Sequence, residues 1–569
     1  MSGPQIRNCQ RDVVIIGGGA AAALAAVAAR QAGATVALIT KESSLVGGAT
    51  IMAAGGTSIS ISPGDSGEVF FSDMLKAGCG LNNQKLAGMV AQRSVPSLLN
   101  LEKEEFLLDR KDAKTLRTIK QGEGHTFPRG YLDRREAIGI CHGLARAVMR
   151  KEVTVFSETV AHKIMLTEGQ ATGALALSLV TGEYIAINAK AVILAAGGLG
   201  ALYEVTTNSS VLTGDGYAMA WDCGAELVDM EMVQFLPLAF PYPKTRKGKI
   251  IGMCSHFGPG VKLLNGLGER YMARYDAERL EFTTRDTGAR ANYTEIREGR
   301  GTGRQAIVVD PTDHDPNVWL RWKTSLPHHY AMFKQVFGEE ASEWRKPFEA
   351  MPSQHFFMGG VRIDEECRTG IKGLFAVGEA AGGVHGANRL SGTAFTELFV
   401  FGPLAGESAG RFAVGRKALP LNASDVTRHV DELEERLSKK DGVRPFELKE
   451  AIQRIMWDKL GPVRDEAGIK EAIGSLEQIC QTTQNDLRVA PGSKYNRDRM
   501  EAIEVPQMAR TALLVAASAL CRQESRGSHY RTDFPFRNDA GWLKNILLTK
   551  DVKGGMKIGF KEINGAGQR

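Results

Sequence analysis

Residues 12–39 constrain this chain more than any other stretch. Asp12-Val13-Val14-Ile15-Ile16 is a short β-branched run with the composition of a buried strand. Gly17-Gly18-Gly19 follows at once, then an alanine-rich helical segment over 20–32, then a second strand-like run over 35–39 after Gly33. This is the opening of a βαβ unit. Within it, Gly17-Gly18-Gly19-Ala20-Ala21-Ala22 fits the spacing G-x-G-x-x-G/A. Gly17 permits the tight turn, Gly19 lets backbone approach a pyrophosphate at the helix N-terminus, and Ala22 allows close helix–sheet packing. A Gly/Ala run alone is weak; between a strand and a helix it predicts a dinucleotide site. The acidic ribose partner is not cleanly placed. Glu42 falls late, and either serves a ribose or is a solvated loop charge.

Glycine is also the compositional outlier. The 569 residues include 64 glycines, where average usage near 7% would give about 40. No Gly-X-Y period or Gly/Ser tract accompanies them, so collagen and low complexity are excluded. The expectation is backbone pressed against a long ligand. The glycines assigned to it are Gly17, Gly18, Gly19, Gly47, Gly48, Gly55, Gly56, Gly197, Gly198, Gly214, Gly216, Gly359, Gly360, Gly378, Gly382, Gly383, Gly386 and Gly392. Net charge is +6, with acidic and basic residues interleaved, so nucleic acid is not an expected partner. Eight cysteines occur singly with no CxxC pair. That argues against a zinc ribbon, a disulfide scaffold or an iron–sulfur cluster held by this chain alone, and fits a reducing cytoplasm. No apolar run reaches 18 residues, and residues 1–12 carry no signal core, so neither a direct membrane span nor a leader is expected.

Along the chain, 84–105 and 134–151 show helical spacing, and 191–196 is a buried strand ending in a glycine pair. Residues 46–62 are too small and apolar for a surface loop. From about 226 to 350 charge and proline rise, and glycine-rich texture returns at 359–410. The fold class expected is α/β: a Rossmann-like nucleotide-binding domain over 1–226 and 351–418, interrupted by an α+β capping domain over 227–350. A C-terminal helical domain and tail follow over 419–569. The stretch from 522 onward reads as irregular and basic.

Several segments together carry a resemblance: Ala53-Ala54-Gly55-Gly56, ILAAGGLG at 193–200, TGDGYAMAW at 213–221, MEMVQF at 230–235 and RDTGARANYTEIREGRG at 285–301. HFFMGG at 355–360, GLFAVGEAAGGVHGANRLSGTAFTELFVFG at 373–402 and ESRGSHYRTDFPFRNDAGWLK at 524–544 complete the set. In this order, from about 12 to 546, the sequence resembles the flavoprotein subunits of fumarate reductase and succinate dehydrogenase. Relatives of that family are L-aspartate oxidase and the alpha subunit of adenylylsulfate reductase. The resemblance implies FAD. It places the cofactor on Gly17, Gly19, Ala20 and Ala22, then Lys41, Gly48, Thr50, Ala54, Gly55 and Gly56. Further contacts fall at Ala196, Gly197, Asp215, Gly378, Glu379, Arg389, Ser391, Ala394 and Leu398. Asp215 and Glu379 would bond ribityl or ribose hydroxyls. No histidine lies between Lys41 and Gly124, where membrane-bound members attach FAD covalently, so the expectation is non-covalent FAD with a lowered potential that favours reduction of an acceptor.

The same resemblance makes Arg285 the proton donor or acceptor. His355 and Arg389 become ligands of one substrate carboxylate, and His385 lies behind them. One half of the pattern fails. Where the family has a histidine and a threonine on the strand after Gln-Phe, this chain has Leu236 and Leu238. Where it has Thr-Glu and an Arg-Gly-Glu run, this chain has Cys254-Ser255-His256. A carboxylate against two leucines would lack donors, at a cost of roughly several kcal/mol. Either Ser255 and His256 replace those donors or the substrate carries an apolar or bulkier group there. The proton route would then use Arg300, Arg304 or water.

The resulting expectation is an FAD-dependent oxidoreductase acting on a C=C/C–C bond beside a carboxylate, with an altered small carboxylate substrate. Genuine fumarate reduction and an L-aspartate oxidase-like activity are the alternatives within enzymes; a flavin electron-transfer scaffold is the other class. An iron–sulfur partner subunit is implied, with Arg526 and Arg531 in the docking stretch, at the cytoplasmic face of a membrane complex if one exists.

Overall fold

The computed structural model describes residues 4–43, 45–104, 124–131, 135–439 and 441–563, and within 105–123 only 108, 110, 112, 115, 116, 118 and 119. Strand β1 (Ile6–Ile16) runs into helix α1 (Ala20–Gln31), and β2 (Val36–Ile39) pairs with it in parallel, Val13 opposite Val36. β1 is longer than the expected 12–16 because its polar first half pairs with β3 (Tyr184–Leu194), Ile6 opposite Tyr184 through Ile16 opposite Leu194. The sheet extends past β2 to Thr154–Phe156, and past β3 to the antiparallel strands Gln170–Ser178 and Thr159–Thr167. Leu374–Ala376 also joins β3 in parallel. A strand from late in the chain thus completes a sheet begun at residue 6, as a discontinuous domain requires.

Helix α2 (Gly48–Met52) contacts α3 (Glu136–Arg150) at the edge of this domain. Both fall where helix or buried backbone was expected, although Glu105 and Arg134 lie outside the described residues. The inserted segment builds a second sheet around β4 (Val233–Ala239). It also supplies helices α4 (Arg285–Glu295), α5 (Pro316–Ser325) and α6 (Pro327–Phe337). Strand β5 (Phe348–Phe357) pairs antiparallel with β4, Val233 opposite Phe357, and crosses residue 350. Aromatic rings fill the insertion's core: Trp322 stands edge-on to Phe333 at 5.5 Å, and Phe257 sits 5.1 Å from Trp344.

Helix α7 (Thr393–Ala413) returns to pack on α1. Gly402, Gly406 and Gly410 recur every four residues and share one face of α7. A Cβ on Gly406 would sit 2.1 Å from the Ala25 carbonyl oxygen, and one on Gly402 would sit 2.7 Å from Leu24 Cβ. Alanine on one helix and glycine on the other bring two backbones close enough for this contact.

Helices over Ala423–Leu437, Pro445–Lys459, Glu466–Asn485 and Arg497–Cys521 form the expected C-terminal helical domain. The stretch beyond 522 is not irregular, however. β6 (Lys544–Lys550) and β7 (Met556–Glu562) form a hairpin, and β6 pairs with Leu227–Val228. Nor do Arg526 and Arg531 present charge to a partner, being 2% and 0% exposed. Arg526 bonds Glu524 at 2.6 Å and Asp539 at 2.8 Å, and Arg531 bonds Asp533 at 2.8 Å. Alternating short strands among basic residues carry little apolar periodicity, which is why the hairpin is hard to see in the sequence.

Candidate active site

The carboxyl ends of β1, β2 and β3 open into a cavity of about 770 Å³. Of the 18 glycines assigned to a ligand, eight line it: Gly17, Gly18, Gly19, Gly48, Gly55, Gly56, Gly197 and Gly392. Others serve packing: a Cβ on Gly359 would meet the Asp229 carbonyl oxygen at 2.3 Å, and one on Gly386 the Gly78 carbonyl oxygen at 2.5 Å. Ala20, Lys41, Thr50, Ala54, Ala196, Asp215, Glu379, Ser391, Ala394 and Leu398 also face the cavity. Two expected ligands do not. Ala22 is fully buried in the helix–sheet core. Gly378 (φ 68°) is packed instead, since a Cβ on it would meet Ala21 and Leu398 at 2.9 Å.

The cradle fits a dinucleotide. Gly19 ends the turn before α1 with no capping side chain, and no acidic residue occupies the first helical turn. A Cβ on Gly19 would meet Thr50 Oγ1 at 3.4 Å and nothing closer, so the helix N-terminus is open to the cavity. Ala20 N–H donates to Thr50 Oγ1 at 3.0 Å. A phosphate there meets backbone donors and the positive end of the helix dipole. Glu42 lines the cavity too, and its carboxylate accepts the Gly48 N–H at 2.6 Å. Lys41 Nζ is held by Asp215 at 3.0 Å and Glu504 at 2.6 Å. Burial alone would lower the lysine's pKa, but these two charges outweigh it and raise it. Glu379 accepts the Phe357 N–H at 2.9 Å; burial pushes its carboxyl up to about 8. It therefore enters the cavity as a neutral acid at pH 7, able to donate to a hydroxyl.

Arg285, His355 and Arg389 line the same cavity as Gly55 and Gly56, and the two arginine charges act on His355. Arg285 is the first residue of α4; its Nη2 donates to Ser391 Oγ at 2.8 Å and its Nη1 to Gln234 Oε1 at 3.5 Å. Gln234 is in turn fixed by donating to Asn388 Oδ1 at 2.7 Å and to the Arg389 carbonyl at 2.9 Å. Arg389 is buried over the Phe356 ring at 4.5 Å; its Nε has no hydrogen-bond partner, and it forms no ion pair among the described residues. Burial, then the Arg285 charge, lowers its pKa to about 9. Two guanidiniums thus face one cavity, with the N-termini of α4 and α7 adding positive potential. His355 Nδ1 lies 2.9 Å from the Thr207 hydroxyl. With that hydroxyl donating, the ring proton sits on Nε2. Burial first, then Arg389 and Arg285, hold His355 well below its usual pKa, so it is a neutral donor.

Ser255 and His256 line the cavity, and Ser255 Oγ is buried without a partner. Burial lowers His256 to about 4. Leu236 and Leu238 do not line the cavity: both are buried, and Leu238 packs into the aromatic core of the insertion. Strand β4 shifts register against β5 between Leu236 and Ala239, so period-2 reasoning does not fix which side chains face the ligand there. Arg300 and Arg304 also lie elsewhere, bonded to Glu295 at 2.7 Å and Glu349 at 2.8 Å. His385 stands behind the site, 2.7 Å from Glu397, which lines it. Sequence reasoning missed His125, whose Nε2 meets the Ser391 carbonyl at 3.0 Å. It also missed the α5 wall of Val318, Arg321, Trp322 and Ser325. The only available signal for that wall was helical spacing on the insertion.

A family model described as FAD binding domain matches residues 12–395, and one described as Fumarate reductase flavoprotein C-term matches 449–566. A fumarate reductase (CoM/CoB) subunit of Methanothermobacter marburgensis is 37% identical over 522 residues, 90% of this chain and 92% of its own. An uncharacterized FAD-dependent oxidoreductase of Methanocaldococcus jannaschii is 37% identical over 521 residues, 91% and 92% of the two chains. A point variant of E. coli quinol fumarate reductase FrdA superimposes with a TM-score of 0.89 at 28% identity, covering 99% of this chain and 98% of that one. Adenylylsulfate reductase of Archaeoglobus fulgidus shares the fold, with a TM-score of 0.77 at 19% identity over 98% and 97% of the chains.

Proposed function

The chain belongs to the fumarate reductase/succinate dehydrogenase flavoprotein family, an FAD-dependent oxidoreductase acting on CH–CH bonds, and from that premise we propose that it reduces a C=C bond beside a carboxylate in a substrate other than a plain C4 dicarboxylate. The observation that carries this reading is Arg389, a buried guanidinium with a partnerless Nε and no ion pair among the described residues, facing Arg285 and His355 across one cavity. A substrate carboxylate would supply the missing counter-charge, bidentate on Arg389 and with a hydrogen bond from His355.

Reduced FAD, when held in the cradle, would supply the hydride for one carbon of the bond. The proton for the adjacent carbon comes from Arg285, oriented by Ser391 and Gln234. The net change adds one hydride and one proton across C=C. The carboxylate's clamp on Arg389 polarises the double bond and fixes which carbon receives each. The Asp286 carboxylate next to Arg285 in sequence is engaged elsewhere, accepting from Asn388 at 2.9 Å.

Ser255 and His256 stand where the family has charged donors, His256 is neutral, and the cation whose charge acts on it is Arg285, already engaged with Ser391 and Gln234; this supports an apolar or bulkier substituent in place of a second carboxylate. A second reading, fumarate itself with His256 as donor, is favoured by the position of His256 in the cavity. Anaerobic stopped-flow mixing of the reduced enzyme with fumarate separates the two. Rapid reoxidation at micromolar fumarate would defeat the altered-substrate reading.

An iron–sulfur partner subunit is part of the proposal. Its support is that similar chains are named as subunits and that no group of three or more His, Cys, Asp or Glu among the described residues could hold a metal. No helix among the described residues is long and apolar enough to cross a membrane. All eight cysteines are free, which supports a cytoplasmic setting.

A further inference from the structure

Lys41 lines the cradle, yet its donors are already taken. Its Nζ stands 2.6 Å from Glu504 Oε1, 2.8 Å from Thr213 Oγ1, 3.0 Å from Asp215 Oδ2 and 3.2 Å from the Val211 carbonyl oxygen. An ammonium has three protons, and these four acceptors use them all. Burial pushes the lysine's pKa down, and the two carboxylates more than offset it, so the group stays charged. Three of the acceptors belong to 211–215, the turn into the helix Asp215–Asp222, and Asp215 lines the cavity. The fourth comes from elsewhere. Glu504 lies on the helix Arg497–Cys521 of the C-terminal domain, is fully buried, and is not part of the cavity wall. Thr511 is seven residues further along that helix and so on the same face. Its hydroxyl donates to the Gly214 carbonyl at 2.8 Å. Gly214 turns the chain with a left-handed backbone (φ 71°), and a Cβ on it would meet Thr511 Cγ2 at 3.0 Å. The C-terminal helix therefore grips the turn before Asp215 twice, once through Lys41 and once directly.

Buried charges of this kind hold one another in place. Glu504 Oε2 makes no hydrogen bond and stands 3.7 Å from Lys449 Nζ, which also meets Glu501 at 3.7 Å. With Glu504 present, the Lys41 charge is shared between two carboxylates. Without it, Lys41 would have Asp215 as its one carboxylate and would draw it in, which makes Asp215 a poorer acceptor for a cofactor hydroxyl. We propose that Glu504 is a positioning residue for FAD: the C-terminal helix acts through Lys41 to hold Asp215 in the orientation that accepts a cofactor hydroxyl, so that FAD binding and docking of that helix are coupled. The coupling is reciprocal by linkage. Whatever factor the docked helix adds to FAD affinity, FAD adds to the docking of the helix. This concerns how the cofactor is held and stands independently of which substrate is reduced.

In the test, the full chain stripped of flavin is titrated with FAD, and quenching of flavin fluorescence gives the affinity. Glu504→Gln, nearly isosteric, should weaken FAD binding about tenfold, the scale of one charge-assisted contact. Thr511→Val, which removes only the direct hydroxyl anchor, should weaken it roughly threefold. Glu501→Gln, on the same helix but facing Lys449, should leave it unchanged. Lys41→Met combined with Glu504→Gln should bind no worse than Lys41→Met alone, since the glutamate acts through the lysine. Deuterium exchange gives the reciprocal readout: FAD should slow exchange over 497–521 in the wild type, and about tenfold less in Glu504→Gln. A merely structural ion pair would lower the Tm of the Glu504→Gln apoprotein while leaving FAD affinity and FAD-dependent protection intact, and that result overturns the proposal. So do additive losses in the double variant, or an equal loss in Glu501→Gln. If circular dichroism shows that Glu504→Gln does not fold, wild-type affinity in Thr511→Val overturns it instead.

Discussion

Arg285 and Arg389 carry the same charge but different duties, and conservative substitution separates them. In the proposed reaction Arg389 binds the carboxylate, so Arg389→Lys would lose the bidentate fork and should act mainly on KM. Arg285 is the proposed proton donor, so Arg285→Lys keeps the charge but should lower kcat by roughly 100- to 10,000-fold with substrate binding retained. Single-turnover reoxidation measured beside equilibrium binding distinguishes the two. Equal loss of both in Arg285→Lys would make it a binding residue only. Glu379 gives a second residue-scale prediction. Its pKa rises from the ordinary 4.5 to about 8 on folding, so the folded apoprotein holds a proton that the unfolded chain releases. That contribution is complete below about pH 4.5 and is lost as pH rises through about 8. The apoprotein's Tm should therefore fall between pH 6 and pH 9, and Glu379→Gln should flatten that fall. A parallel decline in both proteins would remove Glu379 as the cause. At this scale the sequence is informative where a residue sits in a recognisable motif: Arg285, His355 and Arg389, far apart in the chain, line one cavity. It misleads at Leu236 and Leu238, because a register shift in β4 decides which side chains reach the cavity.

The elements are legible in proportion to their periodicity. β1, α1 and β2 follow from a β-branched run, an alanine run and the glycines between them. The α1–α7 contact shows in the sequence only as excess glycine, which reads there as contact with a ligand. Gly402, Gly406 and Gly410 show that part of it belongs to helix packing. The docking of α6 on α3 is not legible at all, since Glu136 and His329 are 193 residues apart. Glu136 holds this contact from a left-handed backbone (φ 54°) at the start of α3, beside Gly55, which lines the cavity. Removing the carboxylate in Glu136→Ala should cost about 2 kcal/mol of local stability, the scale of a charge-assisted hydrogen bond. Deuterium exchange across residues 316–337 should then quicken by roughly thirtyfold. Glu136→Gly relieves the backbone strain but not the lost contact, so it should show the same exchange. Normal protection in Glu136→Gly would assign the effect to strain alone.

On the scale of the whole molecule, two halves of a nucleotide-binding domain close around a cavity whose other wall is the insertion. The attachment of the flavin follows from which side chains that cavity offers. Among the described residues its histidines are His125, His256 and His355. His256 comes from the insertion and His355 from β5. His355 is engaged by Thr207, and His256 Nδ1 accepts the Met253 N–H at 3.3 Å. His125 alone sits near the loop at Ser391, and both its nitrogens are occupied, Nε2 by the Ser391 carbonyl and Nδ1 facing Arg129 at 3.4 Å. The first residues of α2, Gly48, Ala49 and Thr50, offer no nucleophile beyond a hydroxyl that already accepts from Ala20. The holoenzyme should therefore release all its flavin into the supernatant on acid precipitation, and the denatured chain should show no flavin fluorescence on a gel. Flavin retained by the wild-type pellet but not by His125→Ala would place a covalent bond at His125 instead, and would raise the potential expected for this enzyme. Free release keeps the potential low, the direction that drives electrons from the cofactor into a double bond rather than out of a saturated acid.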